Sequence, residues 1–147
     1  MKLDLDDIRA LLGHVIPPDD EVVAVWGALW TFGHRLGMPA ADVPRVMLDL
    51  LLETVGPERT LLLPTYTGAY AGSREFDLLR SPPDTGALSE HALQRPEFRR
   101  THSPINSYAV TGPRRDEVLA IEELTLWGEK SLFGWFGKTN ARMCVLG

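Results

Sequence analysis

The chain has 147 residues, 44% of them hydrophobic, with 15 basic and 20 acidic side chains and a formal net charge of −5. That size suits one domain, and the acidic balance weighs against a nucleic-acid surface, which is usually strongly basic. No apolar run approaches the ~20 residues that span a bilayer, and the acidic start MKLDLDDIRA lacks the apolar centre of a secretory signal, so a cytoplasmic protein is expected.

In chain order, Leu5, Ile8, Leu11 and Leu12 recur at helical spacing and predict a short amphipathic helix, closed by Pro17 and Pro18. Glu21 to Trp26 (EVVAVW) reads as a strand covered on both faces. Gly27, Gly33 and Gly37 puncture the next stretch, which reads as a loop with at most a helical turn. Asp42 is a candidate N-cap, and Val43, Val46, Met47, Leu50, Leu51 and Thr54 follow one face of a helix stopped by Gly56 and Pro57. Thr60 to Leu63 is a second buried strand ended by Pro64, so strand, helix and strand form a right-handed parallel crossover.

Residues Tyr66 to Asp84 are rich in Gly, Ser, Pro and Asp and predict a long loop of the kind that often binds ligands. A two-turn helix follows near Gly86 to Leu93, then a short strand at Ser107 to Val110 and a helix over Pro113 to Leu124. Gly128 to Gly137 reads as irregular and aromatic, and Arg142 to Leu146 as a final buried strand. Such a strand ordinarily leads into a further layer. The chain is therefore expected to be either the front portion of a larger catalytic domain or a shortened relative of one.

Familiar nucleotide and hydrolase signatures are absent: GxGxxG, the P-loop and the G-x-S-x-G elbow do not occur. The four histidines are far apart, and Cys144 is the only cysteine, so no metal site is expected. Two polar segments adjoin strands. Pro64 to Thr67 (PTYT) follows the second strand, where open α/β sheets bind ligands, so Thr65, Tyr66 and Thr67 either line a pocket or form an ordinary strand end. Arg99 to Ser107 (RRTHSPINS) offers two guanidinium forks for phosphate or carboxylate, plus His102, a candidate base. The alternative there is a solvated loop. Asp77, Asp84 and Glu90 can orient a histidine or bind a cationic substrate, or serve as caps and surface charges.

Taken in order, LWTFG (Leu29 to Gly33), ETVG (Glu53 to Gly56), TLLLPTYT (Thr60 to Thr67), Phe76–Asp77, SPPDTGALSE (Ser81 to Glu90), RTHSPINSYAVTGP (Arg100 to Pro113), EKSLFG (Glu129 to Gly134) and RMCVLG resemble the aminoglycoside 3-N-acetyltransferase family. The RTHSPINSYAV wording is closer to its polysaccharide and secondary-metabolite cousins than to the antibiotic-resistance enzymes. The resemblance implies an incomplete three-layer α/β/α fold with a mainly parallel central sheet, residues 1–147 forming the N-terminal portion of a single acetyltransferase-like domain. It implies acetyl-CoA as cofactor and a small-molecule acceptor with a primary amine, an amino sugar or a relative of one.

Transfer would be direct, a base taking the amine proton while donors hold the oxyanion. Trp30 and Thr31 in the loop after the first strand, with Thr65, Thr67, Arg99 and Arg100, would face the coenzyme. His102, Asn106 and Ser107 would approach the reacting centre, and Tyr66, Asp77, Asp84 and Glu90 the acceptor. The family's His-Ser-Ser cluster after the first strand is here Trp26, Gly27 and Ala28, and two of its later histidine places hold Ser103 and Asn106. Asparagine is no base at neutral pH. The other reading is a catalytically inactive module that binds a ligand or a partner subunit. Open strand edges would be met by self-association or by a separate C-terminal half.

Overall fold

The computed structural model describes residues 2–122 and 125–147. The first helix, α1 (Leu5–Val15), opens on a reciprocal capping box in which Asp4 accepts from the Asp7 amide and Asp7 from the Asp4 amide. Strand β1 (Val22–Gly27) follows, then α2 (Trp30–Leu36), where a loop was expected. Helix α3 (Val43–Val55) leads to β2 (Thr60–Pro64). Arg59 joins them: its guanidinium donates to the Val55 carbonyl at 2.7 Å and to that of Thr54, satisfying orphan carbonyls at the end of α3, and also to the Pro17 carbonyl at 2.8 Å.

The long loop contains one helical turn, α4 (Tyr70–Ser73), and runs into α5 (Ala87–Leu93). A two-residue strand absent from the expectation, β3 (Arg99–Arg100), precedes β4 (Tyr108–Thr111). Helix α6 (Arg115–Leu119) is shorter than expected, and the end of the expected helix at residues 123–124 lies outside the described residues. The aromatic stretch read as irregular contains α7 (Leu132–Lys138), capped by Ser131 Oγ accepting from the Gly134 amide. Strand β5 (Arg142–Leu146) closes the order.

The strands form one sheet in the order β3-β4-β2-β1-β5. β1 is parallel to both β2 and β5, whereas β4 runs antiparallel to β2 and β3. The sheet is therefore mixed, with β4 alone opposing the common direction. Alternation along the strands sorts two cores. Val23, Val25, Leu61, Leu63 and Ala109 pack under α1, α3 and α5, while Val22, Ala24, Leu62, Tyr108 and Val110 pack under α6 and α7. This is the expected three-layer α/β/α arrangement.

The last strand differs from its expected burial. β5 lies at a sheet edge, and although Cys144 and Leu146 are buried, Met143 is 50% and Val145 80% exposed. A run of apolar residues signals a strand, yet only one of its faces meets helices here. Burial raises the Cys144 thiol above its ordinary range, and its Sγ lies 3.7 Å from the Val15 carbonyl.

Glu117 binds α6 to α7: it accepts from Arg114 at 2.7 Å and from the Trp135 indole at 2.7 Å. Arg114 first, then Trp135, holds the Glu117 carboxyl below the usual range. A depressed folded-state value stabilises the fold above the unfolded carboxylate range and is lost as pH falls through the folded value. The stability difference between wild type and Glu117→Gln is thus expected to shrink on acidification, measured by urea unfolding at a series of pH values.

Candidate functional site

Because β2 and β4 are antiparallel, the carboxyl end of β2 meets the amino end of β4. The two polar segments singled out in the sequence therefore lie at the same end of the sheet. They are joined directly rather than separated by a cleft: the Thr65 amide donates to the Ser107 carbonyl at 2.7 Å and the Thr67 amide to Pro104 at 3.1 Å.

Arg100 is the centre of this junction. Its Nε donates to Ser107 Oγ at 3.1 Å, Nη1 to the Ser81 carbonyl at 2.6 Å, and Nη2 to the Thr65 carbonyl and to Thr67 Oγ1 at 2.7 Å. Its guanidinium carbon lies 4.8 Å from the centre of the Phe76 ring, a cation–π contact. Arg100 is 6% exposed, and burial presses its guanidinium below the ordinary arginine range. Among the described residues no carboxylate pairs with it; carbonyl and hydroxyl oxygens accept its hydrogen bonds instead. The fork expected to meet coenzyme phosphate is engaged by its own chain.

Ser107 is fully buried, accepts from Thr65 Oγ1 at 2.9 Å and donates to the Thr65 carbonyl at 2.7 Å. Its proton is already placed, which suits a positioning group better than a nucleophile. Asn106 is buried, and its amide donates to Ser103 Oγ at 3.3 Å.

The loop between β2 and α5 is tied down over this junction. The Gly68 amide donates to Asp84 Oδ2 at 2.6 Å, and the Asp84 amide donates to the Tyr66 carbonyl at 2.8 Å. Asp77 Oδ1 accepts from the Leu79 and Arg80 amides, an Asx turn. Asp77 and Asp84 hold loop geometry, and Glu90 is exposed on α5.

Three groups lie around the junction. Tyr66, on the opposite sheet face, shares a 2.6 Å hydroxyl contact with the buried Tyr108, whose ring also meets Trp26 edge-on at 6.1 Å. His102 is exposed and lines a cleft with Ser103, Leu119 and Ile121, on the α6 side and apart from the Arg100 contacts. Trp30, 78% exposed, rims an apolar cavity of about 380 Å³ with Leu29, Gly33, Met38 and Val43 at the carboxyl end of β1. Thr31 donates to the Ala28 carbonyl at 3.1 Å, and Arg99 is exposed with its Nη1 on the Pro96 carbonyl at 2.9 Å.

The Trp26-Gly27-Ala28 substitution of the expected polar cluster has a packing counterpart. A Cβ on Gly27 would lie 3.0 Å from Leu88 Cδ2, so α5 crowds this turn, and the Ala28 amide is used by the Leu146 carbonyl at 2.7 Å. Sequence reasoning missed Ser81 and Tyr108. Ser81 acts through its backbone carbonyl, which carries no signal in its residue type. Among the described residues no group of three or more His, Cys, Asp or Glu is placed to hold a metal, and no helix is long and apolar enough to cross a membrane.

The structure is a three-layer α/β/α fold with a roofed polar junction at the carboxyl end of β2. The family model for aminoglycoside 3-N-acetyltransferase matches residues 32–147, and the chain belongs to that family. Aminoglycoside N(3)-acetyltransferase IV from Salmonella sp is 29% identical over 84 residues, 56% of this chain and 31% of that protein. The crystal structure of aminoglycoside acetyltransferase AAC(3)-IVa, an apoenzyme, superposes with TM-score 0.79 at 22% identity, covering 100% of this chain and 56% of that one. AAC-IIIb in a binary complex with CoASH gives TM-score 0.72 at 22% identity, over 94% of this chain and 57% of that one. Sisomicin-bound AAC-VIa gives 0.76 at 23%, over 97% and 59%. The chain thus spans under a third of the matched curated relative and somewhat more than half of each of these structures.

Proposed function

We propose that this chain is a coenzyme A-dependent N-acetyltransferase module, moving acetyl from acetyl-CoA to a primary amine of an amino sugar. Family membership over residues 32–147 supports the chemistry, and the observation that carries the site is the Arg100-centred junction at the carboxyl end of β2. In this reading Arg100, Thr65, Thr67 and Ser107 form the rigid floor. The cavity beside Trp30 and Thr31 takes an apolar stretch of the coenzyme, and Arg99, exposed with only Nη1 held by the Pro96 and Phe98 carbonyls, is the guanidinium that meets its phosphates.

His102 is the base: it removes the amine proton as nitrogen attacks the thioester carbonyl, and coenzyme A leaves as the thiol. Tyr66 lies on the acceptor side, and Glu90 is the exposed carboxylate available to a cationic acceptor. The buried, already hydrogen-bonded Ser107 hydroxyl agrees with a transfer that needs no acyl-serine.

A second reading, a ligand-binding module without catalysis, is favoured by Gly27 and Ala28 in place of polar side chains and by Ser103 and Asn106 in place of histidines. Acetyl-CoA mixed with gentamicin, apramycin or sisomicin, with released thiol followed by a chromogenic disulfide, separates them. Amine-dependent thiol release is expected from the transferase. Coenzyme binding without release would replace it with the second reading.

A further inference from the structure

Three buried hydroxyls meet at the Arg100 junction, those of Thr65, Thr67 and Ser107. Each has one proton to donate, and two of the protons are committed at ordinary length. Thr65 Oγ1 donates to Ser107 Oγ at 2.9 Å, and Ser107 Oγ donates to the Thr65 carbonyl at 2.7 Å. Thr67 differs. Its Oγ1 accepts from Arg100 Nη2 at 2.7 Å, while the acceptor for its own proton, the Pro82 carbonyl, lies at 3.4 Å. Hydroxyl hydrogen bonds ordinarily span about 2.5–3.0 Å, so this proton is poorly used.

A guanidinium only donates, so the Thr67 oxygen must be the acceptor and its proton must point elsewhere. The cation behind that oxygen also polarises the O–H bond and makes it a stronger donor. The oxygen is held from two sides, by Arg100 and through the Thr67 amide on the Pro104 carbonyl at 3.1 Å. A fixed, polarised donor, 4% exposed and without an acceptor at ordinary length, suits an oxygen that gains negative charge during a reaction.

We infer that Thr67 Oγ1 is the oxyanion donor of the transfer and that Arg100 is the positioning residue behind it, an inference that rests on the transferase reading. The thioester carbonyl oxygen takes the place of the Pro82 carbonyl, one carbonyl exchanging for another on the same proton. Pro82 is exposed, and its contact is the longest at the junction. As the amine nitrogen attacks, the carbonyl π pair moves onto oxygen, where Thr67 holds it. The pair returns as the C–S bond breaks, and the proton that the base took from nitrogen passes to the sulfur. Thr67 gives up no proton.

Thr67→Val removes the hydroxyl and Thr67→Ser restores it. With acetyl-CoA and sisomicin, Thr67→Val is expected to lower kcat by ~10²-fold and to leave KM for acetyl-CoA within about twofold, and Thr67→Ser to recover at least about tenfold of the loss. Arg100→Lys added to Thr67→Val should lower kcat by less than about threefold more, because the group that it positions is already gone. A readout free of turnover is the infrared band of acetyl-CoA labelled at its carbonyl, bound without amine. That band should lie at lower frequency on the wild type and Thr67→Ser than on Thr67→Val. Unchanged kcat in Thr67→Val overturns the inference and leaves the transferase reading standing. A wild type that binds acetyl-CoA without turnover, its band moved back by Thr67→Val, ends the transferase reading and keeps Thr67 as donor to the carbonyl. A band identical in wild type and Thr67→Val overturns the inference, as does a folded wild type that binds no acetyl-CoA.

Discussion

Arg100→Ala is expected to cost about 3 kcal/mol of stability, since each buried acceptor that loses its donor costs about 1–3 kcal/mol. Four oxygens lose this donor at once: the Ser81 carbonyl and Thr67 Oγ1 lose it outright, while the Thr65 carbonyl and Ser107 Oγ keep only their bonds from Ser107 Oγ and Thr65 Oγ1. These belong to three different segments, so their loss also frees the loop over β2 and the approach to β4. For a chain of this size the cost corresponds to a fall of about 6–12 °C in Tm. Arg100→Lys keeps the charge but not the fork, and should recover less than half of the loss. Arg99→Ala, on an exposed side chain one residue earlier, should stay within about 0.5 kcal/mol. Urea unfolding of the three variants checks the ordering, and similar small shifts for all three would remove Arg100 from its central place.

His102→Ala is expected to lower turnover by ~10²-fold while leaving stability unchanged, the usual contribution of a general base. The side chain is exposed and its removal leaves no cavity. A merely structural role would shift the unfolding midpoint, whereas a base shifts kcat alone. The measurement is steady-state thiol release with the folded variant. An unchanged rate would exclude His102 as base and direct attention to groups on the α6 side of the cleft.

Strands and the principal helix were legible because their signals are local. EVVAVW and TLLLP are apolar runs bounded by breakers, and α3 carries a continuous helical face. Helices α2 and α7 are hidden in the sequence by their glycines, which read as breakers. A Cβ on Gly33 would touch Val43 at 3.7 Å, and one on Gly134 would overlap the Gly128 carbonyl. Gly134 is required by close approach inside a helix, a fact that depends on how the preceding Gly128–Glu129 turn folds back against it. Gly112, just before the expected helix, has φ +105°, and a Cβ there would overlap the Arg59 carbonyl.

The two polar segments were legible as neighbours of strands, and less so in what their residues do. Pro64–Thr67 and Arg99–Ser107 lie together as their positions beside strands implied. The sequence could not reveal that Arg100 meets carbonyls 19 and 35 residues away, because carbonyls are common to every residue. A buried arginine held by backbone oxygens reads in sequence just as an exposed arginine awaiting phosphate does. Likewise Asp77 and Asp84 carry the residue type of a cation site and the geometry of turns.

The central claim is that the carboxyl end of β1 and β2 holds acetyl-CoA. Isothermal titration of the folded chain with acetyl-CoA tests it most directly, with Trp30→Ala and Arg99→Ala as controls on exposed positions. Micromolar binding, weakened at least about tenfold by either substitution, is the predicted result. A folded chain that gives no binding heat across a range of temperatures and leaves the tryptophan emission unchanged would contradict the account.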